Sequence, residues 1–308
     1  MKKRAIISLL VSLVVVSFIL PALASTPPEE ERTSEPIDEE TEQEAEPEGF
    51  IFLDGVPQSV EYEERGGTAY VTVSSFVAMI DPQAVVEEED GVVAVSSARV
   101  EQIVDAEGNT ANVVQETLSM TVSAQMPYVV ANGRYLYAKD SIVMLNGRVA
   151  VPVRILAKVF NLDVCYDAEA DVALLTRGQS GSAYIQSGKS YYYDDTLYWL
   201  ARIINAESGN QPIDGKIAVG NVVMNRVNDP AFPDTIYEVL YQQNQFSPAG
   251  SGSILNTPND DSVVAAKLVM DGAQVVPDAL FFARAGMVCY ASRTRDHVAT
   301  IGDHAFYG

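Results

Sequence analysis

Cysteine and histidine are nearly absent from this chain. With only Cys165 and Cys289 in 308 residues, a disulfide framework is excluded. Each cysteine is expected to be a buried free thiol rather than a nucleophile, because a catalytic thiolate needs a nearby base and both histidines, His297 and His304, fall near the chain end. Two histidines seven residues apart are a poor zinc set, so no metal site and no cofactor are expected. Positive charge is scarce as well: 20 Lys or Arg stand against 42 Asp or Glu, for a net charge of -22. Phosphate backbones repel such a chain, and no basic patch with interleaved aromatics occurs, so nucleic acid is excluded as a partner. One long apolar run exists, Ala5 to Leu20, behind Met1-Lys2-Lys3-Arg4 and ahead of Pro21 and Ala22-Leu23-Ala24. This is the pattern of an export signal over residues 1–24. A secreted protein without stable membrane insertion is expected, since a run of that length is marginal as a membrane span.

Residues 25–48 hold roughly ten of the net negative charges, several prolines and almost nothing apolar. They read as a disordered acidic linker. From 49 to 177, short β-branched and apolar runs punctuated by Gly, Asn and Asp predict a mostly β domain with short helices. It carries a weak internal repeat. Ala69 to Met79, followed by Asp90-Gly91-Val92-Val93, lines up with Ala150 to Phe160, followed by Asp171-Val172-Ala173-Leu174, at a shift of about 80 residues. Each copy reads as strand, amphipathic helix and strand, so a single pseudo-duplicated domain is expected. Residues 178–195, rich in Gly, Ser, Gln and Tyr, read as a second linker. Residues 196–308 are mainly helical in pattern, which makes the whole an α+β two-domain chain.

The stretch Leu145-Asn146-Gly147-Arg148-Val149-Ala150-Val151-Pro152-Val153-Arg154, with Val164-Cys165-Tyr166-Asp167 and Phe52-Leu53-Asp54-Gly55, resembles the copper amine oxidase N-terminal-like domain. The family name implies no copper here, because the segment has no histidine. A binding or spacing role is expected.

Asp195 or Thr196 is placed to cap a helix in which Leu200, Ile203, Ile204 and Glu207 share one face. An apolar stripe that ends on a carboxylate leaves two readings open. Glu207 is either a desolvated acid of raised pKa, as a general acid requires, or a partly solvated charge where Ser208-Gly209-Asn210 ends the helix. A second helix over 215–227, with Asp214 as its expected cap, is apolar nearly all round and therefore buried. Asn225 and Arg226 at its end either reach the cleft or satisfy carbonyls of the last turn. Thr235 caps a short helix to Tyr241, and residues 242–248 form a polar loop around Phe246. A further helix covers 260–271, residues 279–283 have strand character, and the tail beyond is expected to be irregular.

Leu200-Ala201-Arg202-Ile203-Ile204-Asn205-Ala206-Glu207-Ser208-Gly209, Asn225-Arg226-Val227, Gln245-Phe246-Ser247-Pro248 and Ile301-Gly302-Asp303-His304-Ala305-Phe306-Tyr307 resemble, in order, the SleB-type cell wall hydrolases. The resemblance spans residues 197–308. It implies a lysozyme-like, lytic transglycosylase-type fold, peptidoglycan as partner, spore cortex as the setting, and Glu207 as the catalytic residue. Asn225, Gln245, Phe246, Ser247, Phe282 and Tyr290 become the expected substrate-binding residues. Where the family commonly has Tyr-Phe-x-Asn-Pro, this chain has Phe281-Phe282-Ala283-Arg284-Ala285, so the Asn is missing. With one convincing carboxylate, the expected reaction is a lytic transglycosylase cut between N-acetylmuramic acid and N-acetylglucosamine. The rival readings are a hydrolytic muramidase using Asp214 or Asp303 as second acid, a zinc N-acetylmuramoyl-L-alanine amidase, and an inactive exported wall-binding protein.

Overall fold

The computed structural model describes residues 51–104, 108–138, 142–167, 172–178, 181–192 and 195–308. The expected export signal and acidic linker lie outside them. The chain divides between Ala45 and Glu46, so every described residue belongs to one unit, 46–308.

Tight turns build the first half. Asp54-Gly55, Gly66-Gly67, Asp90-Gly91, Asn132-Gly133 and Asn146-Gly147 each put two consecutive residues at positive φ, as with 47° and 83° at Asn146 and Gly147. That is the turn whose twist matches a hairpin, and Gly, Asn and Asp adopt it at least cost. The elements run β1 (Ile51–Leu53), β2 (Val56–Gln58), β3 (Tyr62–Arg65), β4 (Thr68–Thr72), α1 (Val73–Ile80), β5 (Val85–Glu89), β6 (Val92–Val104) and β7 (Thr110–Ser123). They continue with β8 (Tyr128–Ala131), β9 (Arg134–Tyr137), β10 (Val143–Leu145), β11 (Arg148–Pro152), α2 (Val153–Val159), β12 (Leu162–Asp167) and β13 (Val172–Arg177).

The internal repeat is visible as a local two-fold. β4, α1 and the β5–β6 hairpin correspond to β11, α2 and the β12–β13 hairpin. The copies meet where β4 pairs antiparallel with β11, and Val71 faces Val151, its structural equivalent 80 residues on, one residue off the sequence alignment that set Ala69 against Ala150. The sheet β10-β11-β4-β3 is symmetric about that pair. The flanking sheets differ by one strand: β13 lies directly beside β1 in parallel, whereas β7 is inserted between β6 and β8. Phe76 of α1 and Phe160 after α2, ring centroids 6.0 Å apart, join the two copies in one core.

The second half contains α3 (Gly188–Tyr191), α4 (Asp195–Ser208), α5 (Ile213–Asn228), α6 (Ile236–Tyr241), α7 (Ser247–Ser251), a 3-10 turn at Ser253–Leu255 and α8 (Asp260–Met270). β14 (Phe281–Arg284), α9 (Tyr290–Thr294), β15 (His297–Ile301) and β16 (His304–Tyr307) complete it. Leu200, Ile203 and Ile204 of α4 pack with Ile217, Val222 and Val223 of α5 and Ala265 and Leu268 of α8, all fully buried. Thr235 accepts a hydrogen bond from the Glu238 amide as the cap of α6, as expected.

Three expectations need correction. Pro212, not Asp214, occupies the cap of α5, and Asp214 instead accepts a 2.9 Å hydrogen bond from the Tyr137 hydroxyl. The tail is not irregular: β15 and β16 form a hairpin that adds β14 in the order β14-β16-β15. A register shift between His297 and Ala299 hides its two-residue period in the sequence. Cys165 is exposed and Cys289 half-buried, so neither is a fully buried thiol. Cys165 lies on the edge strand β12, paired to β13 on one side only.

Residues 181–192 pack against both halves. The Tyr184 hydroxyl donates to Asp81 (2.7 Å), and the buried Tyr192 hydroxyl donates to Asp271 after α8. Arg134 at the start of β9 also reaches Asp271, with Nε 2.9 and 3.1 Å from its two carboxylate oxygens. The Asp271 side chain is fully enclosed. Lys158 of α2 donates to the Asp271 carbonyl at 2.8 Å, and the Arg134 guanidinium lies 3.1 Å over the Tyr191 ring. Burial opposes the charge on Arg134, yet the Asp271 hydrogen bonds outweigh it and raise its pKa. The β-rich and helical regions are therefore joined by a paired, buried charge.

Candidate active site

Glu207 occupies the last turn of α4, half-buried, one turn beyond the enclosed Ile203 and Ile204. No hydrogen bond or ion pair reaches its carboxylate among the described residues. Desolvation alone raises its pKa above the usual carboxylate range. The end of the helix is held from two sides. On one, Asn205 Oδ1 accepts from the Asn259 amide (3.0 Å), while Asn259 Nδ2 donates to the Gly209 carbonyl (3.1 Å). On the other, Gln211 and Asp303 exchange two hydrogen bonds, Gln211 Nε2 to Asp303 Oδ2 (3.0 Å) and the Asp303 amide to Gln211 Oε1 (2.8 Å). Gly302 permits this approach, since a Cβ there would stand 2.2 Å from Gln211 Oε1. The buried Lys216 ammonium donates to the Gln211 carbonyl at 2.5 Å. These contacts fix the backbone around Glu207 and leave its carboxylate free to titrate.

The other expected site residues separate into groups. Phe246 is buried in the helical core, with exposed Gln245 and Ser247 on either side in sequence. Phe282 is half-buried and its ring lies 6.3 Å from Phe246, 6.0 Å from Phe306 and 5.5 Å from His304. Strand alternation puts Phe282, His304 and Phe306 on the sheet face toward the helices. Tyr290 lies across the sheet: it is exposed on α9 and meets Phe281, which points the other way. Asn225 donates to the carbonyls of Val276 (3.2 Å) and Ala279 (2.9 Å). Arg226 donates from Nε to the Leu280 carbonyl (2.7 Å) and lies 5.0 to 5.2 Å from the rings of Phe232, Phe246 and Phe281. Both side chains thus hold the approach to β14 rather than carbonyls of their own last turn. Burial without a carboxylate partner pushes the Arg226 pKa down to about 10.

The two histidines face opposite ways. His304 stands beside Phe282, and His297 meets Tyr307 on the far face, 5.7 Å between rings. They cannot share a metal ion. Among the described residues no group of three His, Cys, Asp or Glu is arranged to hold one. The Gln211–Asp303 clasp was not legible in the sequence, because a pairing across 92 residues leaves no local signal.

The profile of the Cell Wall Hydrolase family matches residues 210–307, and that of the copper amine oxidase N-terminal domain matches residues 93–175. Glu207 lies just ahead of the first match. The chain is 28% identical over 120 residues to the spore cortex-lytic enzyme of Oceanobacillus iheyensis, covering 37% of this chain and 42% of that protein. It is 28% identical over 118 residues to the spore cortex-lytic enzyme of Bacillus cereus, covering 37% and 45%. The chain therefore spans less than half the length of these relatives. The crystal structure of the catalytic domain of the Bacillus cereus SleB protein aligns over 37% of this chain and 90% of that one, at 27% identity and a TM-score of 0.35. The catalytic domain of a germination-specific lytic transglycosylase SleB from Bacillus anthracis aligns over 40% and 100%, at 26% identity and a TM-score of 0.36. The chain joins a copper amine oxidase N-terminal domain to a C-terminal domain of the cell wall hydrolase family, homologous to the spore cortex-lytic enzymes.

Proposed function

We propose that the C-terminal domain cleaves the glycan strand of peptidoglycan between N-acetylmuramic acid and N-acetylglucosamine, as a lytic transglycosylase with Glu207 as its catalytic residue. The observation that carries this reading is a half-buried carboxylate at a helix end, raised in pKa by desolvation and bound by no neighbour among the described residues. Such a group is protonated at higher pH than an ordinary Glu and can donate to the glycosidic oxygen. As the bond breaks, the substrate's acetamido group assists at the anomeric carbon. Glu207, now ionised, takes the proton from the muramic acid 6-hydroxyl, which closes the 1,6-anhydro ring without net addition of water.

A hydrolytic glycosidase needs a second carboxylate across the bond. Both candidates are engaged, Asp214 with the Tyr137 hydroxyl and Asp303 with Gln211, which supports the one-carboxylate route. The surfaces next to Phe282, Gln245 and Ser247 are proposed to meet the glycan, with Phe246 and Asn225 supporting them from below. Spore cortex is the proposed setting, from the names of the relatives, with export through residues 1–24. Digestion of purified cortex and vegetative peptidoglycan, followed by mass analysis, tests the reading. Anhydro-muramic ends that disappear with Glu207→Gln are expected; reducing ends would identify a hydrolytic muramidase, and free peptides an amidase.

A further inference from the structure

The first turns of α4 and the whole of α6 carry an aromatic cluster that the catalytic reading does not use. Tyr198 and Trp199 meet edge to face at 5.0 Å, Trp199 meets Tyr237 at 5.3 Å and Tyr241 at 5.9 Å, and Tyr237 and Tyr241 stack at 4.5 Å. The tyrosines are open to solvent: Tyr198 is 44% exposed, Tyr237 48% and Tyr241 41%. The Arg202 guanidinium lies 3.7 Å over the Tyr198 ring, and its buried Nε has no partner among the described residues. Leaving three rings this exposed forgoes the burial that normally stabilises an aromatic side chain.

We propose that this cluster is a saccharide-binding platform that takes the glycan strand beyond the cleavage point, and the proposal rests on the reading of Glu207 as the cleaving residue. Three features favour a sugar as occupant. Pyranose rings have an apolar face of C–H groups that stacks on aromatic rings, and hydroxyl and acetamido groups that need donors and acceptors; tyrosine offers both on one side chain. Arg202, stacked on Tyr198, adds a guanidinium beside the rings, a group suited to an acetamido carbonyl. The platform is also continuous with the proposed site, because Trp199 and Glu207 share one helix. Eight residues of helix separate them by about 12 Å along the axis and about 80° around it. A strand lying across Glu207 and along α4 toward its start would cross the platform, which would hold it while the bond at Glu207 breaks.

Trp199 is the only tryptophan in the chain, so its emission reports on the platform directly. The full chain carrying Glu207→Gln is titrated with peptide-free glycan strands prepared from purified peptidoglycan. A saturable change in Trp199 emission is expected. Tyr237→Ala with Tyr241→Ala should weaken it about tenfold, the loss of one or two ring contacts, while Tyr237→Phe with Tyr241→Phe keeps most of it. If the double alanine variant loses its native circular dichroism, Tyr237→Leu with Tyr241→Leu replaces it. Silent emission, or unchanged binding by a folded variant without the two rings, overturns the proposal. The two readings separate cleanly. A Trp199 response together with undiminished cleavage by Glu207→Gln sinks the catalytic assignment and leaves the platform standing; cleavage that needs Glu207 with Trp199 silent does the reverse.

Discussion

The two regions treat buried polarity in opposite ways. In the β-rich region, Arg134 is a buried charge, and it reaches across to the carboxylate of Asp271 in the helical region. The helical region buries Lys216 on a carbonyl oxygen and Arg226 on a carbonyl oxygen among three aromatic rings, and leaves Glu207 without a partner among the described residues. Charges that are desolvated and unpaired cost stability, and a chain tolerates them where they serve a site. On the proposed reading of Glu207, the contrast sets a first region organised for stability against a second organised for chemistry. The paired charge joins them across the contact between the β-rich and helical regions.

The strongest attempt to break this comparison is at Glu207. Substitution by Gln keeps shape and removes the titrating proton, and cleavage of peptidoglycan should fall by about 10²–10⁴-fold, the range for loss of a general acid. Product release measured by mass analysis checks it, and a loss smaller than tenfold would move the chemistry elsewhere. Next in size is Asp271→Ala, which strands the Arg134 charge inside the protein. A loss of about 3–5 kcal/mol is expected from breaking a buried pair on one side. Denaturant unfolding of the whole chain reads it; a loss under 1 kcal/mol would mean that the two regions are held by other contacts.

Much of the first region was legible beforehand because its signals are local. The Asp-Gly and Asn-Gly turns announce hairpins, and the 80-residue repeat became the self-facing pair Val71 and Val151. The length of β7 and its insertion between β6 and β8 were not foreseen, since strand order is set by long-range pairing. In the helical region the stripe Leu200, Ile203, Ile204 marked the buried face, and Glu207 ended it. Spacing alone did not decide between an acid and a solvated helix end; the unpartnered, desolvated carboxylate now favours the first. Phe246 read as part of a polar surface loop and is a core residue, because a single aromatic among Gln and Asn carries no period. Tyr290 and Phe282 looked alike in sequence, yet strand alternation sends their neighbours to opposite faces.

The two-fold of the first region supports a smaller test. Gly67 and Gly147 are equivalents at φ of 76° and 83°, and neither has an atom within 4 Å of a Cβ placed there. Replacement of either by Ala should cost the same, about 1–2 kcal/mol for a left-handed residue with a side chain. A cost at one site more than twice that at the other would show that the halves are not equivalent in energy.

The smallest effect sharpens the view of Glu207 as a site that costs stability. Its pKa is raised in the folded chain by desolvation, so the folded state holds the proton more tightly than the unfolded one. Below the ordinary Glu pKa both states are protonated and nothing is lost. As pH rises through the folded pKa the buried carboxylate ionises, and the wild type loses stability that Glu207→Gln, always neutral, retains. Melting temperatures of the two should converge in acid and separate toward neutral pH with the variant higher, by about 2–4 °C for each kcal/mol in a chain of this size. A gap that stays constant across this range would mean that Glu207 is solvated in the folded state, and the second region would then lose the unpaired charge that sets it apart from the first.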